Sequence, residues 1–320
     1  MSTAMTAVGL LAPVSRRVRA YFAPVDRVAG VPTMFDAAQS GGFGLDTPPA
    51  PWVDLGWCTG FVRKCGTKVA AVRTGAPTVV QQQVRTEVET TVSLAFESWG
   101  KLQMALAGGS QQMNLLRTAT GAVANGSGGL ASMAVPLGAG STATALNVGT
   151  AAAAGFSVGD LVAVDVDYAG QVGFVGSGAS GAYVRQTSDV GSDVNYVRRA
   201  SLNVGQVISI AAGVLQLQTA LLAGVPANGM QVSRLVGFVD REGGSFFQEW
   251  SGLFCVEGEQ GDRVMYYYPR LQAMQGAEEK SDVVAGALSR LTLVGAFRAL
   301  PVVDANDGAT VVCFRSYLPA

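Results

Sequence analysis

From residue 84 to residue 96 the chain alternates without a slip. Val84, Thr86, Val88, Thr90, Val92, Leu94 and Phe96 fall on one side, and Arg85, Glu87, Glu89, Thr91, Ser93 and Ala95 on the other, with Glu97 continuing that side. A period of two sends successive side chains to opposite faces of a strand. At about 3.3 Å per residue the run makes a strand of roughly 40 Å, long against the usual five or six residues. The period then lengthens: Trp99, Leu102, Ala105 and Leu106 recur at helical spacing, Ser98 stands where an N-cap belongs, and Gly108-Gly109 stops the helix. A long strand with one apolar and one charged face suits a wall between a core and water, or between a core and a lumen.

The flanking patterns are also β-like. Residues 52–74 alternate, with Gly66-Thr67 read as a tight turn and 69–72 as a return strand ended by Pro77. After the helix a coil is expected through Leu115-Leu116, and Gly, Ala, Ser and Thr dominate 118–145, which reads as a linker. Strands are expected at 144–148, 161–168, 171–175, 182–186, 195–203, 206–209 and 214–217, at the spacing of a small barrel or sandwich. Strong alternation resumes at 246–256, with further strands at 264–268, ended by Pro269, and at 291–301 and 309–318, the last two joined by a hairpin turn at Asn306-Asp307-Gly308. Residues 270–288 read as a charged loop carrying Glu278, Glu279, Lys280 and Asp282. Residues 1–50 show no period and are broken by Pro13, Pro24, Pro32, Pro48 and Pro49, so they read as an extended arm lying on its own domain or on a neighbour. The expected organisation is a mainly β protein: an arm at 1–50, a β-sandwich domain with one packed helix at 51–135 and 239–320, and a small inserted β-domain at 136–238.

Composition adjusts this picture. The 320 residues hold 41 glycines, only 14% charged side chains and 8% aromatics. Few charges against a usual share of about 25% hint at surface hidden in an assembly. The net charge of −1, from 22 basic and 23 acidic residues, is not that of a protein that grips phosphates. There is no histidine, which removes the commonest general base and metal ligand. Cys58, Cys65, Cys255 and Cys313 form no C-x-x-C pair; Cys255 and Cys313 read as buried thiols, and a reducing compartment is expected. The first thirteen residues lack a basic n-region and read poorly as a signal peptide, and no run approaches 18 uninterrupted apolar residues.

Candidate chemistry is thin. Gly176, Gly178 and Gly181 match G-x-G-x-x-G, but a strand-like run follows where a dinucleotide fold needs a helix, so the motif reads as a glycine-rich loop. Asp165 and Asp167 share a strand face and read as solvated rather than as a cation site, and the 304–308 turn has the wrong spacing for a calcium loop. Glu87 and Glu89 lie two apart on one exposed face, unlike a carboxylate pair across a cleft. No catalysis, cofactor or metal is expected.

The stretch WVDLGWCTGFVRKCGTKVAAVRTG followed by VVQQQVRTEVETTVSLAFESWGKLQMALAGGSQQMN resembles the major tail tube protein of long-tailed bacteriophages, over residues 50–117 with a looser echo from 240 to the end. The resemblance implies a β-sandwich with a packed helix, six copies whose sheets join into a continuous barrel around a channel, and stacking of those rings. It implies a virion protein of the tail, assembled in the host cytoplasm. Its partners are then other copies of itself, other tail proteins and duplex DNA that passes without specific binding. Sheet edges left open in each copy would find partners on adjacent copies. DNA carries about one charge per 1.7 Å of its axis, and a neutral or acidic lumen does not hold it. On this reading Arg85, Glu87 and Glu89 face the channel or the next ring. Arg16 and Arg17, in a basic cluster with Arg19 that by itself reads as a solvated turn, and Glu278 and Glu279 are contact candidates. Deleting residues 1 to about 40 is expected to leave a folded subunit that polymerises poorly. The alternatives are another β-rich virion component, in a baseplate or decorating a capsid, and a carbohydrate- or cell-surface-binding β-module.

Overall fold

The computed structural model describes residues 15–26, 29–117, 132–165, 195–242, 248–274, 278–286 and 288–320. In chain order its elements are Ser15–Pro24 (β1), Val53–Thr74 (β2), Val79–Phe96 (β3), helix Lys101–Gly108 (α1), Gln111–Leu116 (β4), Val135–Pro136 (β5), Ala145–Asn147 (β6), helix Thr150–Ala153 (α2), Leu161–Asp165 (β7), a π-helical turn Arg198–Leu202, Val204–Ala211 (β8) and Val214–Leu217 (β9). Gln231–Arg241 (β10), Glu249–Gly258 (β11), Arg263–Ala273 (β12), Glu278–Ala285 (β13), Leu288–Leu300 (β14), Val302–Val303 (β15), Thr310–Val311 (β16) and Phe314–Leu318 (β17) complete it. The protein is mainly β.

One sheet runs β13-β14-β3-β2-β1-β11-β12-β17, and β14 also pairs with β12 through Arg270–Leu300 to Ala273–Phe297. The six strands β14, β3, β2, β1, β11 and β12 therefore close on themselves, with β13 and β17 attached outside the circuit. This corrects the expectation that each copy leaves its sheet edges open: over its buried half the sheet caps its own edges, as barrel closure does. Phe22 lies at the centre of the enclosed core, 5.3 Å from Phe297, 5.9 Å from Phe254 and 6.5 Å from Trp250 between ring centroids.

Residues 15–24 are thus an inner strand and not part of an arm. Ala20 and Phe22 face one core while Tyr21 and Ala23 face a second, built from Phe43, Trp52, Leu253, Cys255, Met265 and Tyr267. A strand buried on both faces reads as a continuous apolar run, so its sequence shows no period of two. The stretch that follows folds back as a cover over the second core: Tyr21 meets Phe43 edge-on at 5.0 Å, and its hydroxyl donates to the Leu45 carbonyl (2.9 Å).

Two other expectations, a turn and a strand end, also fail. β2 runs unbroken through Gly66-Thr67 because β3 pairs it from Cys58 to Thr74; the chain reverses instead at residues 75–78. β12 runs past Pro269 because the register slips there, and the freed Pro269 carbonyl accepts from the Ser251 hydroxyl (2.8 Å). A bulge is where a strand tolerates proline. α1 ends where expected, at Gly109 in the left-handed region (φ 60°), but Ser98 does not cap it: Gly100 is the N-cap, and the Ser98 hydroxyl donates to the Leu55 carbonyl. Leu102, Ala105, Leu106 and Ala107 bury the helix against the barrel.

The second sheet has the order β4-β10-β7-β8-β9-β6, with β5 beside β10. Its first strand, β4, occupies the stretch expected to be coil, and β4 and β10 tie it to the chain on both sides of the expected insertion. Residues 195–203, expected as a strand, instead carry the π-helical turn, and Tyr196, Val197, Ala200 and Leu202 pack into the barrel's core. The strands expected at 171–175 and 182–186, the Gly176–Gly181 motif and Asp167 lie outside the described residues.

Candidate assembly surface

Beyond Lys64 on β2 and Thr90 on β3 the hairpin leaves the barrel. Every residue from 64 to 89 is exposed, on both faces, until Thr90 turns inward and Val92, Leu94 and Phe96 enter the core. The projecting part of β3 is about 36 Å long at 3.3 Å per residue. The hairpin shows valines to water: Val69 (53% exposed) and Val72 on β2, and Val79, Val80, Val84 (45%) and Val88 on β3. Among the described residues neither outer edge of the hairpin is paired there, because β1 pairs β2 only as far as Cys58 and β14 pairs β3 only from Thr91. A second hairpin, β13–β14, projects from the opposite end of β14, past the Phe96 end of β3, and exposes Val283 (74%), Val284, Leu288 and Leu291.

The predicted residues distribute over these parts. Glu87 pairs with Lys68 across the ladder (2.5 Å), and Glu89 reaches Arg298 of β14 (2.8 Å). Both pairs are exposed, so each contributes little to stability. Arg85 does not share their face. The ladder pairs Lys68 with Glu87 but Val69 with Arg85, so Thr86 is an extra residue, and the slip sends Arg85 to the other side. Glu278 and Glu279 sit on a strand, not in a loop, opposite Val294 and Leu293. Arg16 lies at a register slip in β1, between the Ser15–Gly258 and Arg17–Glu257 pairs.

Arg17 and its neighbour Arg19 are structural. Arg17 bonds Glu257 (2.8 Å) and lies 3.8 Å over the Trp57 ring. Arg19 is buried, forks onto Asp54 (3.1 and 2.5 Å) and bonds Asp46 (2.6 Å). The Asp54 bond holds the guanidinium pKa above its ordinary value. The basic cluster is therefore a clamp between β1 and β2, not a solvated turn.

Two buried polar groups escaped the sequence reading. Asp165, expected to be solvated, is fully buried and takes a bidentate bond from Arg198 (2.9 Å each). The Lys101 ammonium donates to the Asn114 amide oxygen (2.9 Å) and to the Ala200 carbonyl, and burial lowers its pKa to about 8. Both groups tie the barrel or the second sheet to the π-helical turn. The thiols of Cys58 and Cys255 are buried as well, and burial raises them to about 12 and about 11. Cys65 is exposed on the hairpin and Cys313 is half-buried.

Among the described residues no three Cys, Asp or Glu side chains converge on a point, and no helix is long and apolar enough to cross a membrane. A cavity of about 470 Å³ opens beside the end of β1, between Pro24, Val31, Pro32, Pro51, Val197 and Leu202. Its wall is mixed, with Asp26, Thr33 and Asn195 among the apolar residues, and Arg198, which also lines it, is engaged by Asp165. No known protein-family model matches the chain, and no curated protein sequence matches it significantly.

Proposed function

We propose that the protein is a structural subunit that self-assembles into stacked rings, the tail tube of a virion, with a channel through which duplex DNA passes. The observation that carries this reading is the projecting β2–β3 hairpin. A two-stranded ribbon is at best marginally stable in water, and long exposed edges rich in valine and threonine are an aggregation hazard unless something covers them. The hairpin keeps both edges and both faces uncovered for about eleven residues per strand, which is consistent with a ribbon completed by neighbouring copies. The closed barrel behind it supplies a rigid base, and the resemblance over residues 50–117 covers the hairpin and α1.

Purified protein is expected to pass, with rising concentration, from monomer to rings and stacked rings, seen by sedimentation velocity and negative-stain electron microscopy. Discrete particles without stacking would favour a decorating or baseplate component. A monomer at every concentration would remove the proposal.

A further inference from the structure

The free edges of the projecting parts carry charge of opposite sign. Between residues 59 and 74 β2 holds Arg63, Lys64, Lys68 and Arg73 and no acidic residue, whereas β13 holds Glu278, Glu279 and Asp282 against Lys280 alone. Arg63 turns onto the Tyr268 hydroxyl (3.0 Å) and Lys68 onto Glu87, so the exposed cations that key the β2 edge are Lys64 and Arg73. Among the described residues each strand is paired on one side only: β2 to β3 beyond Cys58, and β13 to β14. Strand direction also fits. β13, β14, β3 and β2 are successively antiparallel, so a β13 laid beside the β2 of another copy in the same orientation is again antiparallel to it.

On the strength of the assembly reading above, we propose that these two edges form a charge-keyed joint. The acidic β13 edge of one copy docks along the basic β2 edge of the next. The segregation of charge also forbids the competing joints, β2 to β2 and β13 to β13, because like charges facing across a ladder are destabilising. Those competing joints are isologous and end growth at a dimer. The permitted joint is heterologous and continues into a ring or a filament. Glu278 lies level with Ala95 through Val294, near the barrel end of the free β2 edge, while that edge runs on toward the tip. Joining the two therefore offsets each copy along the strands, the stagger that a closed sheet requires.

Two double variants test the key. Glu278→Lys with Glu279→Lys changes the sign on β13; Lys64→Glu with Arg73→Glu reverses two exposed cations of β2. Each variant alone is expected to stay monomeric where the wild type assembles, and an equimolar mixture is expected to recover assembly. Either variant assembling alone as the wild type does, or a mixture that fails to recover, overturns the proposal. Wild-type assembly supplies a readout independent of variant folding. Raising NaCl shortens the Debye length from about 10 Å at 0.1 M to about 3 Å at 1 M, and is expected to raise the dissociation constant at least tenfold. An unchanged constant counts against the charge key alone. A wild type that never assembles counts against the assembly reading itself.

Discussion

Lys101 shows how a single side chain is set by its surroundings. Its two acceptors, the Asn114 amide and the Ala200 carbonyl, are neutral, so nothing on them offsets the cost of burying the ammonium. Burial lowers the folded pKa from 10.5 to about 8. Between those values the unfolded chain binds the extra proton, so this group's contribution to stability rises with pH. The cost is fully present below pH 8 and gone above the unfolded value, at most about 3 kcal/mol in all. The buried thiols act oppositely. Cys58 and Cys255 have folded pKa values raised to about 12 and about 11, so their contribution falls as pH climbs past the ordinary value of 9.0. Lys101→Met separates the two effects. In urea melts at pH 7.5, 8.5 and 9.5, wild-type stability is expected to gain on the variant's step by step; a constant gap would mean that the ammonium is solvated. No periodicity announces this lysine, because its burial is created by residues 99 positions away in the chain, at Ala200.

Among elements, β1 and the projecting hairpin behave as opposites. Phe22 touches three other aromatic rings, and its truncation to Ala is expected to cost about 3–5 kcal/mol in chemical denaturation, the range for large buried aromatics. Deleting residues 1–40 removes that strand, so it is expected to yield an unfolded or aggregated chain and not a folded, poorly polymerising one. The hairpin touches no core. Replacing residues 67–88 by an Asn-Gly turn between the paired Gly66 and Glu89 is expected to leave stability within about 1 kcal/mol, a Tm change of a few degrees, while abolishing rings in electron micrographs. An unfolded product would show that the ribbon supports the barrel; a polymerising one would show that assembly uses another surface. The contrast also explains what the sequence disclosed. The alternation of residues 84–96 located β3, since one of its faces is buried over the inner half. β1 was hidden because both of its faces are buried, and the extent of β2 because Gly66-Thr67 mimics a turn. Three charges two apart along one strand implied a common face, and the extra residue at Thr86 broke it for Arg85. The free edges depend on which strands lack neighbours, a property of the whole sheet.

At the scale of the molecule the question is whether the second sheet is a passenger. Its strands form their own core around Leu146, Val162, Val207, Leu215 and Val232, yet the π-helical turn sends Tyr196, Val197, Ala200 and Leu202 into the barrel's core. The Tyr196 hydroxyl donates to the Gln112 carbonyl of β4 (2.6 Å), and the Asn114 amide donates to the Arg199 carbonyl. Removing the second sheet therefore opens a wall of the barrel, and the two parts are expected to unfold together. Tryptophan placement makes this measurable. Trp52 and Trp250 are buried in the barrel's two cores, Trp57 lies on β2, and Trp99 stands on Phe238 of β10 at 6.1 Å. No tryptophan lies between 100 and 249, so fluorescence reports chiefly the barrel while far-UV circular dichroism reports both sheets. Coincident thermal transitions are expected from the two probes, both moved to lower temperature by Tyr196→Ala. A dichroism transition preceding the fluorescence one would mean that the second sheet melts alone. It would then be an appendage carried by the wall, and not part of the barrel's own cooperative unit.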